Sequence, residues 1–359
     1  MTELVLATVI LSVVSCSDGP TFPCSMTIAN RCWTYLGPSS ELVTAIGVRG
    51  SEVWLGTAHG LYSYDRLSNR WRARAFSGHS VTSINAFPNG AGLWVTLSPG
   101  PYPDSIPSVA YRSDLTGTAW YPSDGGYAGT NHDRQAAFSL AFNPANINRL
   151  YLGTIQDILR SENGGATWTK VYSAGDTVLI GANEVAPIAT SPVDAQRVWS
   201  GGQAVGGCPI LLRSDDAGAS WTRMYSIPDL GDPTCTLAPT IAGSLAPDPV
   251  DRNRLLVGMF GTVLVTPDSG VSWAEVLRPR NPGLVTLAYS GPSVIAVSDE
   301  EITMAPWSEL GLYVGNEAGT TWDTLATPPA ALGATALAVD HEGNVYIGTG
   351  GGIWVVRIP

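Results

Sequence analysis

Short apolar runs alternate with turn-forming residues along the whole chain, and no stretch repeats its apolar positions at helical spacing over a useful length. The runs come in a fixed order. A first run of apolar and small residues, such as "VTAIGV", "VTSINAF", "FSLAFNP" or "TALAVD", precedes a turn rich in Asn, Asp, Gly and Pro. A second run ends in small residues ("VWLGT", "LYLGT", "VYIGT"), a third follows, and a fourth opens on Trp ("WTKVYS", "WTRMYS", "WAEVL"). Runs of this kind bounded by turn residues predict β-strands. Four such strands, repeated along the chain, predict a series of small antiparallel sheets.

The Trp residues give the period. They close a recurring polar string at residues 71, 120, 168, 221, 273 and 322, at intervals of 49, 48, 53, 52 and 49 residues. The string reads "RSDDAGASW" at 213–221, with Ser214, Asp216, Gly218 and Trp221, and "TPDSGVSW" at 266–273, with Thr266, Asp268, Gly270 and Trp273. A third copy has Ser161, Gly165 and Trp168 but places Asn163 where the acid stands. A fourth has Gly319 and Trp322, with Glu317 at the acid position. Carboxylates beside a hydroxyl could be catalytic or metal-binding. Recurrence in successive units argues instead for a hairpin device, in which the carboxylate accepts backbone N–H groups and Gly supplies a positive φ. The neighbouring Asp215 is expected to be a solvated turn residue.

The string resembles the Asp-box, or BNR repeat, Ser/Thr-x-Asp-x-Gly-x-Thr/Ser-Trp, of sialidases, sortilin-type receptors, xyloglucanases and photosystem II assembly-factor propellers. The resemblance covers roughly residues 33 to 359. It implies an all-β fold, a single β-propeller of four-stranded blades with each box on the turn between third and fourth strands, away from the family's catalytic face. Six Trp-ended units are visible, and a seventh, from "ATALAVD" to the end, has three strands and no box. "RCWTYLG" at 31–37 looks like a fourth strand without a blade. Trp33 is therefore expected to pair near Ile353 to Arg357 and close a seven-bladed ring, which removes an open sheet edge. The "RIP" at 357–359 matches a sialidase tripeptide by coincidence, since it ends the last blade.

Composition narrows the functions. The chain has 359 residues, 44% hydrophobic and 14% charged, enough for a large core and unlike a disordered chain. The formal charge is −11 and no basic run exists, so nucleic-acid binding is excluded as the expected activity. No cofactor motif and no C-x-x-C metal pair is present.

The N-terminal run at 4–14 is too short to span a bilayer and suits a signal peptide. It ends in "VVSC", which resembles the lipobox of bacterial lipoproteins, with Cys16 as the lipidated residue; Glu3 and the lack of Lys or Arg depart from that pattern. Residues 1–16 are thus expected to be a signal, 17–30 a tether and 31–359 the propeller. The protein is expected to be an exported, monomeric cell-envelope lipoprotein that meets the membrane only through its anchor; the alternative is soluble secretion. Four further cysteines in an exported chain suggest disulfides. Cys208 and Cys235 fall on neighbouring loops of one face and are expected to pair, which leaves Cys24 with Cys32.

That face, made by the second-to-third and fourth-to-first loops, is the candidate ligand surface. Three second-to-third loops are long, at 96–111, 201–209 and 297–313, as is the loop after blade two at 121–135. They carry Tyr102, Tyr121, Tyr127 and Trp307, which could stack on a sugar or a partner. Asp104, Asp124, Asp133, Asp299, Glu300, Glu301 and Glu309 could supply a glycosidase pair, and His132 and Arg134 stand beside them. A site built from His59, His79 and His132 lacks ligand-like spacing, so no metal is expected. A sialidase would need an arginine triad, and only Arg72, Arg74, Arg134, Arg278 and Arg280 are available. The main expectation is a non-catalytic binding or assembly module that holds a protein partner or glycan on this face; the alternative is a sialidase-like glycoside hydrolase.

Overall fold

The computed structural model of the protein describes residues 24–38, 41–98, 108–125, 137–154, 156–173, 187–203, 209–224, 242–280, 283–300, 309–328, 331 and 333–358. For Asp299, Glu300 and Glu309 it describes the backbone alone. Cys16, Tyr102, Asp104, Tyr127, His132, Asp133, Arg134, Cys208, Cys235, Glu301 and Trp307 lie outside the described residues.

Strands follow one another in sequence order. An N-terminal hairpin, β1 (Met26–Ile28) and β2 (Arg31–Gly37), precedes blade one: β3 (Val43–Arg49), β4 (Glu52–Thr57), β5 (Gly60–Asp65) and β6 (Arg70–Ala75). Blade two is β7 (Ser80–Ala86), β8 (Leu93–Ser98), β9 (Ala110–Ser113) and β10 (Trp120–Pro122). Blade three is β11 (Ala137–Asn143), β12 (Asn146–Thr154), β13 (Asp157–Ser161) and β14 (Thr169–Ser173). Blade four is β15 (Ile188–Thr190), β16 (Val198–Gln203), β17 (Pro209–Ser214) and β18 (Thr222–Arg223). Blade five is β19 (Ala242–Pro247), β20 (Leu255–Met259), β21 (Thr262–Thr266) and β22 (Ala274–Leu277). Blade six is β23 (Val285–Ser290), β24 (Ser293–Glu300), β25 (Glu309–Gly315) and β26 (Trp322–Leu325). Blade seven has β27 (Ala334–Val339), β28 (Asn344–Thr349) and β29 (Gly352–Arg357), and takes β2 as its fourth strand.

The ring is thus a seven-bladed antiparallel β-propeller. Its closure follows the expected register, with Trp33 opposite Val356 and Tyr35 opposite Trp354. Blade seven also gains a fifth strand, β1, within the stretch read as a tether. Ala29 and Asn30 turn the β1–β2 hairpin with φ values of 47° and 63°, the geometry of a two-residue type I′ turn. A Cys24–Cys32 disulfide with Cα atoms 5.3 Å apart ties the hairpin's open end.

The second strand of each blade is sandwiched between neighbours, and so its sequence is apolar at consecutive positions. Trp54, Trp94, Tyr151, Trp199 and Tyr346 on these strands are fully buried. Box Trp residues reach across to them: Trp120 meets Trp54 and Trp168 meets Trp94, each with centroids 6.3 Å apart and edge-to-face. The box glycine has a second role here. A Cβ on Gly165 would lie 2.2 Å from Trp94 Cη2, so the turn can approach the neighbouring blade only without a side chain.

In the turns, Asp216 accepts from Ser220 N at 2.8 Å and Ser220 Oγ at 2.6 Å, while Ser214 Oγ accepts from Gly218 N at 2.8 Å. Asp268 repeats this with Ser272, and Asn163 does so with Thr167 N at 2.9 Å. Blade six differs from expectation. Its acceptor is Asn316, which takes Thr320 N at 2.8 Å, and Glu317 is exposed. Asp114 in blade two occupies the same earlier position and takes Thr118 N at 2.9 Å. An acceptor one residue earlier still reaches the amide because it lies at the same i to i+4 spacing. Asp215 is exposed in the turn, as expected, and also bridges Arg197, at 2.7 Å, and Arg213, at 3.0 Å.

Blades seven and one are joined on the box side by Arg66, whose buried guanidinium reaches Asp340 at 3.3 Å and Tyr346 Oη at 3.2 Å. Burial, reinforced by Asp340, raises the Tyr346 phenol well above its ordinary value, so it stays a neutral donor to Asp340 at 2.9 Å.

Candidate functional site

The second and fourth strands of each blade run toward the loop face. In blades one, three and seven a Thr closes the short second-to-third turn: Thr57 Oγ1 donates to Gly60 O at 3.2 Å, Thr154 Oγ1 to Asp157 O at 2.9 Å, and Thr349 Oγ1 to Gly352 O at 2.9 Å. Blade six breaks the device. Its second strand continues past Ser298, and Asp299 and Glu300 extend the ladder opposite Leu310 and Glu309. Glu300 stands opposite Glu309 in register.

Two expected site residues are described with their side chains. Tyr121 on β10 is exposed, opposite Arg112. Asp124 is buried and accepts from Val109 N at 3.1 Å, tying the ends of two long loops. Burial, with a smaller contribution from Asp124, raises the Tyr111 phenol. Asp124 is therefore a structural acceptor. Asp157 is likewise buried and is held by Lys170 at 2.9 Å and Ser173 Oγ at 2.7 Å.

The described arginines do not converge. Arg74 pairs with Glu52 at 2.6 Å and stacks 5.0 Å from Trp54, Arg72 stands 3.9 Å from Asp65, and Arg278 pairs with Glu275 on another blade. No carboxylate-binding triad is assembled from them. His59 meets Glu41 at 3.1 Å. Among the described residues no group of three His, Cys, Asp or Glu is placed to hold a metal ion.

Blade five supplies features that motif reading passed over. Phe260 and Leu284 form a bridge between the β20–β21 turn and the entry to blade six, and both are exposed. On the other face of the blade-five sheet Glu275 accepts from Thr262 Oγ1 at 3.0 Å and from Arg278 Nη2 at 2.7 Å. Hydrogen bonding from Arg278 holds the Glu275 carboxyl below its ordinary value, so it is ionised. The only sequence signal was an aromatic residue in a two-residue turn, "MFGT".

No protein-family model matches the chain. An oligoxyloglucan-reducing end-specific xyloglucanase from Emericella nidulans is 26% identical over 252 residues, 66% of this chain and 28% of that protein. A xyloglucanase from Paenibacillus sp is 23% identical over 268 residues, 68% of this chain and 22% of that protein. A shorter stretch of 81 residues is 33% identical to vacuolar protein sorting/targeting protein 10 of Schizosaccharomyces japonicus, covering 23% of this chain and 5% of that one. The chain thus spans less than a third of the length of each of these relatives. Among solved structures, the GH74 xyloglucanase of Xanthomonas campestris superposes with a TM-score of 0.67 at 16% identity, over 90% of this chain and 53% of that one. The extracellular domain of a hybrid two-component system from B. thetaiotaomicron gives 0.65 at 15% identity, over 91% and 40%. These superpositions share the fold.

The sequence relatives correct the expectation of a non-catalytic binding or assembly module. The proteins matched across about two thirds of the chain are xyloglucanases, which favours a glycoside hydrolase.

Proposed function

We propose that the chain is a glycoside hydrolase acting on xyloglucan or a related neutral β-glucan, with the glycan held on the loop face of an Asp-box propeller. The observation that carries this reading is the pair of xyloglucanases aligned over 66% and 68% of the chain. Two further observations agree with it. Of the candidate arginines, Arg72, Arg74 and Arg278 each stand against a local acid, which speaks against their use as a sialidase's carboxylate-binding triad. Blade six carries an acidic strand extension on the loop face, at Asp299 and Glu300.

Hydrolysis of a glycosidic bond needs one carboxylic acid to protonate the leaving oxygen and one carboxylate to act as base or nucleophile. The loop-face acids Asp104, Asp133, Asp299 and Glu300 are the candidates, since Asp124 and Asp157 are occupied as buried acceptors. Reducing-end release from xyloglucan, carboxymethylcellulose and a sialyl-oligosaccharide tests the reading. Xyloglucan is the expected substrate, and amide substitution of a true acid or base should lower kcat by roughly 10²–10⁴-fold with thermal stability unchanged. A folded wild-type chain that releases nothing from xyloglucan overturns the hydrolase reading. Activity retained by all four variants moves the acids elsewhere. Such a substrate lies outside the cytoplasm, in keeping with the apolar segment at 4–14 and the Cys24–Cys32 disulfide. Cell fractionation that finds the protein in the cytoplasm would contradict export.

A further inference from the structure

The cleft between blades one and two holds more cationic donors than acceptors. Gly47 fixes which side of the blade-one sheet faces that cleft: a Cβ there would lie 2.5 Å from Ile84 Cγ2 of blade two. Trp54 stands opposite Gly47 in the β3–β4 ladder, and Arg49 stands opposite Glu52 two residues further along. Residues paired across a ladder, or two apart along a strand, share a face. Ser63 and Arg72 carry the same row across β5 and β6. Trp120 enters from blade two, its ring edge-on to Trp54 with centroids 6.3 Å apart.

At other junctions the arginines find acceptors on the next blade. Arg160 Nη1 donates to Ala217 O at 3.1 Å, Arg197 Nη1 to Ser269 Oγ at 2.8 Å, and Arg213 Nη1 to Ser269 O. Blade one is composed differently at these positions. Ser63 stands where blades three and four have Arg160 and Arg213, and Glu52 stands where blades three to five have Arg149, Arg197 and Arg254. Its arginines come from the end of β3 and from β6, and both turn to Glu52. Arg49 Nη2 donates to Oε2 at 3.3 Å, and Arg74 Nη2 to Oε1 at 2.6 Å. Arg74 Nε also donates to Ser63 Oγ at 2.7 Å. Both guanidiniums lie over the Trp54 ring, with Cζ 5.5 Å and 5.0 Å from its centroid.

Both Glu52 oxygens are thus engaged, and donors remain. Arg49 Nη1, Trp54 Nε1 and Trp120 Nε1 are buried and have no acceptor among the described residues. For Trp120 this breaks a pattern. Trp71 donates to Leu36 O and Trp168 to Ser123 O, in each case the third residue past the Trp of the preceding blade's outer strand. The equivalent residue for Trp120 is Arg74, and no such bond is made to it. Charge leads to the same place. Three guanidiniums, of Arg49, Arg72 and Arg74, face the cleft with two carboxylates, of Glu52 and Asp65. Asp65 is already held by Leu67 N and Ser68 Oγ, and Asp114 of the blade-two box turn by Thr116 and Thr118. A buried ionised donor without an acceptor is costly, and water would supply the acceptor but not the charge.

From this surplus we propose that the cleft between blades one and two binds one small monovalent anion, chloride in ordinary surroundings, which accepts from Arg49 Nη1 and from the indole N–H groups of Trp54 and Trp120. A monatomic anion accepts from several directions at once, so it suits donors that come from three side chains on two blades. Its single charge matches the single unmatched guanidinium. The Trp54 ring is fully buried, which favours an ion of this size over a polyatomic one. Held there, the anion joins blade one to blade two, as the Arg66–Asp340 pair joins blade seven to blade one. The inference is independent of what the loop face binds.

Thermal unfolding of the full chain tests it, with sodium chloride or bromide replacing sodium gluconate at fixed ionic strength. An anion bound only by the folded ring should raise the unfolding temperature saturably, by about 2–4 °C at roughly tenfold excess over Kd. Arg49→Met and Trp120→Phe should lose most of that rise. Arg70→Gln, which removes an exposed rim arginine, should keep it. Should Arg49→Met fail to fold, the wild-type salt series and Trp120→Phe, which retains a ring in the cleft, still decide. Anomalous scattering from crystals grown in bromide should give a peak within hydrogen-bond reach of Arg49 Nη1 and the two indole nitrogens. Equal unfolding temperatures in chloride and gluconate overturn the proposal, as does a rise that both cleft variants retain or that Arg70→Gln also abolishes. A bromide peak without a shift in unfolding temperature means an adventitious ion only and overturns it too, and water without anomalous signal at the three donors does the same.

Discussion

Asp216 accepts from the amide and hydroxyl of Ser220 and from Ser214 Oγ within a single turn. These bonds, the Ser220 hydroxyl first, hold its carboxyl at about 2, below the ordinary 3.8. Because the folded value is depressed, the stability it supplies is complete above the unfolded value and is lost as pH falls from about 4 toward about 2. Asp216→Ala should therefore lower stability by on the order of 1 kcal/mol at neutral pH, with the difference from wild type shrinking through that acid range. Urea denaturation at neutral and acid pH measures it, and glycan cleavage per folded molecule should be unchanged. A loss of activity at wild-type stability would place Asp216 in the reaction. The role of this residue was legible because the string recurs and the physics of an i to i+4 carboxylate cap is local. The ion pairs of its neighbour Asp215 were not legible, because Arg197 comes from the turn before β16 and is brought alongside only when the sheet forms. Phe260 and Leu284 were missed for a similar reason: their meeting spans two blades, and no spacing in either segment announces it.

At the scale of the strand, ring closure concentrates on β2. Trp33 on this strand is fully buried between blades six and seven, and its ladder partner Val356 lies at the other end of the chain. Trp33→Ala should cost about 3–5 kcal/mol through lost burial and an unfilled cavity. Removing the Cys24–Cys32 disulfide should cost less, because it ties β1, an outer strand of three residues, and leaves the β2–β29 ladder intact. Equilibrium denaturation of the two variants decides the order, and a larger loss from the disulfide would show that β1 carries the closure. The pairing of distant termini was foreseeable because a blade lacking its fourth strand and an orphan strand are complementary. The β1 strand was not, since three residues of "MTI" after a cysteine carry too little pattern to separate a strand from a tether. The shift of the blade-six acceptor to Asn316 shows the same limit: the string aligns Glu317 with the acid, while the turn uses whichever oxygen reaches the amide four residues on.

For the molecule as a whole, charge and shape constrain what the loop face holds. The chain carries −11 at neutral pH, and its described arginines are largely spent on internal acids, so a polyanionic ligand meets net repulsion. A neutral glucan meets none, and its affinity should come from stacking and hydrogen bonding that salt does not screen. The dissociation constant for a xyloglucan oligosaccharide should thus change by less than about twofold between about 50 and 500 mM NaCl. Binding should also stabilise the ring, because the loop face is assembled only in the folded protein. At ligand about 100-fold above Kd the linkage amounts to about 2.7 kcal/mol, readable as a rise in the unfolding temperature. The same experiment with a sialylated oligosaccharide should give no rise. A rise with the sialylated ligand, strongly suppressed by salt, would mean that a cationic site operates on the loop face and that the neutral-glucan reading of the molecule is wrong.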